Sequence, residues 1–508
     1  MAQKIKIYRS GKLIRETTGV PGETLLKRIT AAGEFVDAPC GGQGKCGKCL
    51  VRLGGPDGDE VLACRTYIDG DLDVYLPEIM DMEIAGAHDA VTTLSGAQKQ
   101  KLGVAVDIGT TSVVAHLTDL ETCARVATAS GVNAQRPYGA DVISRIQYCA
   151  EHGHDALTRA IRDQLAALIL EACYAANART DDIGYVTIAA NTIMQHLAAG
   201  YSPVGMGVAP FTPVSLFGED FPAWDGLPVA RDAMVYFTPA IAPYVGGDIT
   251  AGMLAAGLED TEGPVVYLDI GTNGEIALKQ GDKYYTCATA AGPAFEGAEI
   301  TMGMAAVRGA ISKVWWDGKL KHSTIGDAEA QGLCGSGLLD ALAVLLETGA
   351  VDETGRLLDR DEITHEIATH IGVRADGSNA FFLTKDVCLT SADIRKLQLA
   401  KSAIASGIQV LLKHSGVGEA GVKSFVLAGG FGSFMDQNSA AAIGLFPKCF
   451  LPVSKTMGNT AGEGAALALC SESARAALSD MRNRCEYIEL STSVEFNEQF
   501  VENIMFDI

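Results

Sequence analysis

The sequence lacks any uninterrupted apolar run of about 18 or more residues, the length that a helix needs to cross a membrane. Its start, MAQKIKIYRS, lacks the apolar segment of a secretory signal, so we expect a cytoplasmic chain with no membrane partner. Basic residues are few: 40 Lys and Arg stand against 62 Asp and Glu, which gives a formal net charge of −22. This charge argues against nucleic acid as a partner, because the phosphate backbone would repel it.

A disulfide framework is absent as well. The 13 cysteines are odd in number and scattered, whereas disulfide scaffolds are short and dense in cysteine. With 508 residues, 48% of them hydrophobic, the chain should be globular, with a large core and more than one domain. Nine cysteines stand singly in apolar or helical surroundings, where we expect small buried side chains: Cys123, Cys149, Cys173, Cys287, Cys334, Cys388, Cys449, Cys470 and Cys485.

The other four cysteines lie close together near the start, in the pattern Cys40-x5-Cys46-x2-Cys49-x14-Cys64. Four thiolates, three of them in the glycine-rich loop APCGGQGKCGKC, suit the ligand set of a [2Fe–2S] cluster. The glycines allow backbone N–H groups to face the cluster sulfurs. Plant-type ferredoxins have four residues in the first gap, so this loop is a variant.

The residues around this loop predict a β-grasp, ferredoxin-like domain over residues 1–78. Short strands are expected at residues 3–8, 12–18, 50–53 and 71–76, and a helix at residues 23–32. Residues 79–101 are rich in Ala, Gly, Ser and Thr and are predicted to form a linker.

Three other interpretations of the four cysteines remain open at this point. A structural zinc site usually combines two Cys-x2-Cys knuckles, and only one is present here. A thioredoxin-like redox pair at Cys46 and Cys49 would leave Cys40 and Cys64 without a role, and no βαβ pattern surrounds it. Four free thiols are the third alternative.

The segment VAVDIGTTSVVAH, residues 104–116, predicts a strand, a tight turn and a second strand. Gly109 allows close backbone approach to a ligand, and the amides and hydroxyls of Thr110 and Thr111 can face an anion. Asp107, at the end of the first strand, is placed to hold a metal ion directly or through water. Ordinary turn chemistry would produce the same local pattern, so a single copy leaves both interpretations open.

The pattern recurs 162 residues later in VVYLDIGTNGEIAL, with Asp269, Gly271, Thr272 and Asn273 in the corresponding places. Two copies indicate a duplicated unit in which each half presents one phosphate-binding hairpin. A third glycine-rich turn, SFVLAGGFGSF at residues 424–434, would let a flat ring lie against bare backbone. The segment GNTAGEGAALAL then predicts a helix that packs closely through small residues.

This order of motifs resembles the superfamily of actin, sugar kinases and heat-shock ATPases. The resemblance covers roughly residues 102–480 and implies two lobes of RNase H-like fold with Mg-ATP in the cleft between them. The first lobe, with a middle segment, would occupy residues 102–262, and the second lobe and C-terminal tail residues 263–508. The expected fold class is therefore α/β and α+β, with a ferredoxin-like domain, a linker and a two-lobed actin-like ATPase.

Polar residues between the motifs add further candidates. Residues 191–192 stand where a strand feeds a helix N-terminus, a place that suits an anion and a simple helix cap equally well. Asp248 is a candidate acid of the cleft, and the loop AAGPAFEGAEITMGM, with Glu296, could close over a γ-phosphate. Asp141 and Arg145 lie one helical turn apart and predict a surface ion pair.

A ferredoxin-like domain joined to such an ATPase resembles the reductive activators of corrinoid proteins. The likeness lies in the cluster loop, the DIGTT and DIGTN hairpins, GPAFEGA, LAGGFGSF and the tail YIELSTSVEFNEQFVENIMF, and it extends over essentially the whole chain. It implies ATP-dependent, one-electron reduction of Co(II) to Co(I) through a [2Fe–2S] cluster, which reactivates a corrinoid-dependent methyltransferase system. The implied partners are a corrinoid protein and a low-potential electron donor, with a homodimer as a candidate assembly.

The resemblance also implies a role for each motif. Asp107 and Asp269 would hold Mg²⁺ or orient the attacking water. The implied phosphate ligands are Gly109, Thr110, Thr111, Gly271, Thr272 and Asn273. The implied neighbours of adenosine are Gly429, Gly430, Phe431 and Gly432, and the cluster ligands are Cys40, Cys46, Cys49 and Cys64. Two alternative functions are a redox-sensing regulatory ATPase and a small-molecule kinase with a ferredoxin appendage.

Overall fold

The computed structural model describes residues 2–34, 36, 38, 42, 44, 47–77, 101–297, 299–432 and 434–507. Cys40, Cys46 and residues 79–100 of the predicted linker lie outside the described residues. Among the helices that are described, none is both long enough and apolar enough to cross a membrane.

The N-terminal domain is a five-stranded sheet packed against one helix. The strand order is β2-β1-β5-β3-β4, with β1 and β5 parallel and the other neighbours antiparallel. The helix begins after Thr24, whose hydroxyl accepts a hydrogen bond from Lys27 N, and it buries Leu25 and Ile29 in the core of the domain. This arrangement confirms the β-grasp prediction. The elements are β1 (Gln3–Arg9), β2 (Lys12–Gly19), α1 (Leu25–Ala31), β3 (Leu50–Leu53), β4 (Asp59–Leu62) and β5 (Leu72–Tyr75).

The first lobe contains a six-stranded sheet in the order β10-β11-β9-β6-β7-β8. Strand β6 is buried along almost its whole length, as expected for a central strand that has helices on both faces of its sheet. The elements are β6 (Leu102–Ile108), β7 (Ser112–Asp119), β8 (Arg125–Val132), α2 (Val142–His152), α3 (Asp155–Ala176), β9 (Ile183–Ala190), α4 (Thr192–Ala199), β10 (Asp220–Pro222), β11 (Met234–Phe237) and α5 (Gly247–Ala255).

The second lobe contains a six-stranded sheet, β22-β21-β12-β13-β14-β23, and two three-stranded sheets, β16-β15-β17 and β18-β19-β20. Its elements are β12 (Val265–Ile270), β13 (Gly274–Gln280), β14 (Lys283–Thr289), β15 (Ala310–Trp316), β16 (Leu320–Thr324), β17 (Gly332–Leu333), α6 (Gly335–Glu347), β18 (Ile371–Val373), β19 (Asn379–Phe382), β20 (Cys388–Thr390), α7 (Ser391–Ser415), β21 (Ser424–Ala428), α8 (Gly429–Gly432), α9 (Gln437–Ala442), β22 (Ser454–Thr456), α10 (Thr460–Cys470), α11 (Glu472–Asn483), β23 (Cys485–Tyr487) and α12 (Val494–Glu502).

The two large sheets place their hairpins in equivalent positions. In the first lobe, β6 pairs antiparallel with β7 and parallel with β9. In the second lobe, β12 pairs antiparallel with β13 and parallel with β21. Asp107 lies beside Ala189 of the parallel neighbour, and Asp269 lies beside Ala428 in the same way. The internal repeat predicted from DIGTT and DIGTN is therefore a repeat of sheet topology.

Helices α5 and α10 pack closely against each other, and α10 also contacts the first lobe. Gly464 of α10 lies so close to the Ala251 backbone of α5 that a Cβ atom there would overlap it. Arg125 of the first lobe pairs with Glu463 of the same helix at 2.5 Å. The small residues predicted to allow close packing are thus used where α10 meets α5.

We predict that Gly464→Ala destabilises the protein. Alanine is the better helix former by about 1 kcal/mol, but its Cβ would displace the Ala251 backbone, and overpacking of this kind costs about 1–3 kcal/mol. Thermal unfolding measures the difference, with Leu467→Ala as a control because Leu467 is half exposed on the same helix. An unchanged or higher melting temperature for Gly464→Ala would contradict the tight crossing.

Candidate functional site

The two hairpins meet at a cavity of about 310 Å³ between the lobes. Most of the residues predicted for nucleotide binding line this cavity together, although they are spread over more than 300 positions of the chain: Asp107, Gly109, Thr110, Thr111, Asp269, Gly271, Thr272, Asn273, Gly429, Gly430 and Phe431. Gly432, the remaining predicted residue, is buried in α8.

Asp107 and Asp269 enter the cavity from opposite lobes. Burial raises the pKa of Asp107 to about 7, and the nearby charge of Asp269 contributes in the same direction. Burial likewise raises the pKa of Asp269 to about 6, although the Tyr267 hydroxyl donates a hydrogen bond to its Oδ2 at 3.2 Å. Asn459, the N-cap of α10, hydrogen-bonds Asp107 and opposes the rise. Each carboxylate is therefore held by a side chain of the second lobe.

Two more acids complete a cluster of four around the same space. Burial, followed by the charges of Asp269 and Asp107, raises the pKa of Asp248 to about 8. Burial also raises the pKa of Glu275 well above its ordinary value. Glu275 was not predicted, although it stands directly opposite Asp269 in the β12–β13 register, and that register was readable from the hairpin motif.

The acid cluster suits a cation that arrives with other ligands. Among the described residues, no three His, Cys, Asp or Glu side chains form a group that could hold a metal ion by themselves. Magnesium bound with a nucleotide typically takes one or two carboxylates and obtains its other ligands from phosphate and water. Asp107 and Asp269 therefore fit the predicted Mg²⁺ site only together with a bound phosphate.

A fifth carboxylate lies directly between the hairpins. Glu296, at the end of the 3₁₀ turn Pro293–Glu296, accepts a hydrogen bond from the Thr111 hydroxyl at 3.2 Å and from the Thr272 hydroxyl at 3.1 Å. These are the hydroxyls that the motifs assign to phosphate. Burial raises the pKa of Glu296. The hairpins thus already hold a carboxyl group between them, and it comes from the protein itself.

A buried arginine, Arg145, hydrogen-bonds the backbone of the first hairpin. Arg145 is fully buried, so the predicted surface pair with Asp141 is wrong. Its guanidinium donates to Thr110 O at 2.6 Å and to Gly139 O at 3.0 Å, while Asp141 caps α2 by accepting from Ser144 N. Burial lowers the pKa of Arg145 to about 9. Helical spacing alone cannot distinguish a side chain that faces solvent from one that faces a neighbouring hairpin.

Asn191 is a helix cap, one of the two roles that the sequence left open, and it also contacts the first hairpin. Its Oδ1 accepts a hydrogen bond from Met194 N at 2.9 Å, which caps α4, and its Nδ2 donates to the Thr110 hydroxyl at 3.2 Å.

Within the described residues, two basic side chains line the cavity, Arg136 and Lys48, and the motifs indicated neither of them. Lys48 comes from the N-terminal domain, far away in sequence.

The third glycine turn closes another side of the cavity. Gly429 has φ +89°, and a Cβ atom there would overlap the Asp269 side chain and the Ile270 carbonyl. Phe431 stacks on Phe295 with ring centroids 5.5 Å apart and an interplanar angle of 9°. A Cβ atom at Gly430 would meet no other atom within 4 Å, so the backbone is open at this one glycine, and the contact with a flat ring stays a prediction.

The cluster loop can be followed through its described residues. Cys49 and Cys64 are both buried in the core of the N-terminal domain, and Ala63 N donates to Cys49 O at 2.8 Å, which brings the two chain segments together. A Cβ atom at Gly42 would contact the Leu26 and Cys64 side chains. Two thiols beside a tightly turning glycine loop fit a thiolate-bound cluster. Cys40 and Cys46, the other two predicted ligands, lie outside the described residues.

The remaining cysteines follow the prediction in part. In the described part of the chain, no disulfide joins any of the nine cysteines that stand singly in the sequence. Cys123 and Cys449, however, are exposed and not small core residues, and Cys470 and Cys485 are half buried. A turn and a short 3₁₀ segment bring the two exposed thiols to the surface, which their apolar sequence neighbours did not indicate.

The topology and the cleft define a two-lobed actin-like protein with an N-terminal β-grasp domain. Two family profiles match the chain: "RACo middle region" over residues 102–261 and "C-terminal domain of RACo the ASKHA domain" over residues 264–507. The chain belongs to the RACo family, the reductive activators of corrinoid proteins.

Individual relatives extend the similarity over almost the whole chain. The "Corrinoid activation enzyme RamQ" of Eubacterium limosum is 32% identical over 97% of this chain and 98% of its own length. The "[Co(II) methylated amine-specific corrinoid protein] reductase" of Methanosarcina barkeri is 24% identical over 68% of this chain and 66% of its own length. A solved structure, "Reductive activator for corrinoid,iron-sulfur protein", has a TM-score of 0.72 at 29% identity and covers 99% of this chain and 98% of that one.

We predict that Asp248→Asn stabilises the nucleotide-free protein increasingly as pH rises. The pKa of Asp248 is about 8 in the folded protein and about 4 in an unfolded chain, so its contribution to stability is complete below about pH 4 and is lost as pH rises through 8. Asparagine does not titrate, so the melting temperature of the variant relative to wild type should rise by about 2–5 °C between pH 5 and pH 9. Asp155→Asn, on the exposed start of α3, controls for the loss of one charge.

Proposed function

We propose that the protein reductively activates a corrinoid protein by ATP-dependent, one-electron reduction of its cobalt from Co(II) to Co(I), which reactivates a corrinoid-dependent methyltransferase system. The observation that carries the proposal is one cavity in which both phosphate-type hairpins, five acids and a residue of the ferredoxin-like domain come together. Membership of the RACo family and the similarity to RamQ and to the corrinoid protein reductase support it.

In this proposal the two hairpins bind the phosphates of ATP. Backbone N–H groups and hydroxyls would provide the contacts from Gly109, Thr110 and Thr111 on one side and from Gly271, Thr272 and Asn273 on the other. Asp107 and Asp269 would bind Mg²⁺ or orient the attacking water. Their raised pKa values mean that metal binding must displace protons, so the affinity for Mg-ATP should fall as pH drops below about 7.

Adenosine would lie along the third glycine turn, against Gly429, Gly430, Phe431 and Gly432. The Phe431 ring is already stacked on Phe295, which fixes its plane before a nucleotide arrives. A preorganised ring loses little freedom on binding, and this favours affinity.

Four cysteines, Cys40, Cys46, Cys49 and Cys64, would hold a [2Fe–2S] cluster. When bound, this group supplies a one-electron carrier. The protein around it provides an apolar core on the side of Cys49 and Cys64 and a loop in which Gly42, Gly44 and Gly47 have positive φ. In this proposal, reduction to Co(I) by the cluster is an uphill step. Each 59 mV or so of unfavourable potential lowers the one-electron equilibrium constant about tenfold. Nucleotide binding in the cleft would provide the driving force.

The proposal includes the organisation of the chain and its partners. We assign residues 1–78 to the electron-carrying domain, 79–101 to the linker, 102–262 to the first lobe and 263–508 to the second lobe and tail. A low-potential donor must return one electron after each turnover, because the carrier holds a single electron. A homodimer remains a prediction.

The deciding experiment is an anaerobic visible spectrum of a Co(II) corrinoid protein mixed with this protein and a chemical reductant. We expect the Co(I) absorption band to grow only when Mg-ATP is present. If Co(I) does not appear with any candidate corrinoid protein, the activator function is wrong. Nucleotide affinity that depends on the oxidation state of the cluster would then favour the redox-sensing ATPase.

We predict that two substitutions separate the two halves of the reaction. Cys49→Ser should remove the visible absorbance of the cluster and the formation of Co(I), while ATP binding remains within about threefold of wild type. Asp269→Asn should leave the cluster spectrum intact and lower ATP turnover by about 100-fold or more, the scale on which a catalytic electrostatic group acts. Full activation by Cys49→Ser would exclude the proposed electron carrier, and unchanged turnover by Asp269→Asn would exclude its assigned role.

A further inference from the structure

Lys48 connects the cluster loop to the nucleotide cleft. It directly precedes Cys49, whose side chain is buried in the N-terminal domain, so the backbone at this point is anchored in that domain. The Lys48 side chain reaches the second lobe, where its Nζ donates to Gly297 O at 3.3 Å and to Gly303 O at 3.4 Å. These contacts join parts of the chain that are about 250 residues apart.

The same side chain lines the cavity that contains both hairpins. Two hydrogen bonds of its ammonium group go to neutral carbonyl oxygens. A lysine ammonium has three donors and binds a phosphate group more strongly than a neutral carbonyl, because the bond is then assisted by charge on both sides. A phosphate in the cavity would therefore compete for Lys48.

The loop that Lys48 contacts is also the loop that fills the space between the hairpins. Gly297 follows Glu296, whose carboxylate bonds the Thr111 and Thr272 hydroxyls. Gly297 packs so closely on the Met304 backbone that a Cβ atom would overlap it, so the two ends of the loop lie against each other. A phosphate that displaces the Glu296 carboxylate must move the segment that carries the carbonyl partners of Lys48.

We propose that Lys48 is a phosphate-binding residue that the ferredoxin-like domain contributes to the nucleotide site. The Glu296 carboxylate occupies the phosphate position in the nucleotide-free state, and the terminal phosphate of the nucleotide replaces it and takes over Lys48 from the Gly297 and Gly303 carbonyls. The inference rests on the proposed function, which requires ATP in the cleft, and adds to it a phosphate contact from the ferredoxin-like domain. The domain that holds the cluster contacts the terminal phosphate directly when a triphosphate is bound. By linkage, binding of the triphosphate and the position of the cluster loop stabilise each other.

The test is calorimetric binding of Mg-AMPPNP and Mg-ADP to the protein with its cluster in place. Lys48→Gln should weaken AMPPNP binding by about 10- to 100-fold, the effect of one hydrogen bond to a charged group, and change ADP binding by less than about threefold. Lys48→Arg, which keeps the charge, should restore most of the AMPPNP affinity. Lys27→Gln, an exposed lysine on α1 of the same domain, is the matched control and should behave as wild type.

Equal AMPPNP affinities for wild type and Lys48→Gln would overturn this inference and leave the proposed function standing. Failure of wild type to bind AMPPNP would instead overturn the ATP dependence itself. Visible absorbance verifies that each variant holds its cluster.

If Lys48→Gln loses its cluster, Glu296→Gln decides the question. It removes the anion that competes with phosphate, so AMPPNP should bind several-fold more tightly than to wild type. Weaker binding by Glu296→Gln would show that Glu296 is a ligand of the nucleotide and would overturn the exchange that we propose.

Discussion

The facing pair of carboxylates, Asp107 and Asp269, is the constraint on which the rest of the structure depends. Duplicated topology places β6 and β12 at the centre of two sheets, so the acids at their ends meet across one cleft. Burial raises the pKa of both acids, and the charge of Asp269 adds to the rise at Asp107. After burial, the charges of these two acids also raise the pKa of Asp248. The cleft is consequently least stable when empty and ionised, which favours entry of a cation together with its anionic ligands.

Hydrogen bonds around the acids hold the hairpins and the two lobes together. Arg145 holds the first hairpin by its Thr110 carbonyl, and Asn459 of the second lobe hydrogen-bonds Asp107, so the lobes cannot separate without breaking contacts at the acids. Glu296 bridges both hairpins through their threonine hydroxyls, and the same loop receives Lys48. A change in charge at the hairpins is thereby connected, contact by contact, to the domain proposed to carry the electron.

Sequence reasoning succeeded where the signal was local. The hairpins at DIGTT and DIGTN, the helix after Thr24 and the strand at residues 50–53 depend on residues that are neighbours in the chain, so alternation and turn residues were sufficient. It failed for Arg145, because helical spacing does not specify what the inner face of α2 contacts. It missed Glu275, although the hairpin register pairs this residue with Asp269, because a strand residue after a glycine turn looks like ordinary hairpin chemistry until its burial beside Asp248 and Asp269 is known.

The sequence by itself determined the fold class, the repeated hairpins and the four-cysteine loop, because each depends on residue types at short, regular spacing. Only the tertiary structure decided which side chains share the cleft. Lys48 lines the nucleotide cavity, and Glu296 lies between the two hairpins, because separate folding units dock there. Such long-range contacts are formed by packing and charge complementarity between whole elements, and no local pattern of residues encodes them.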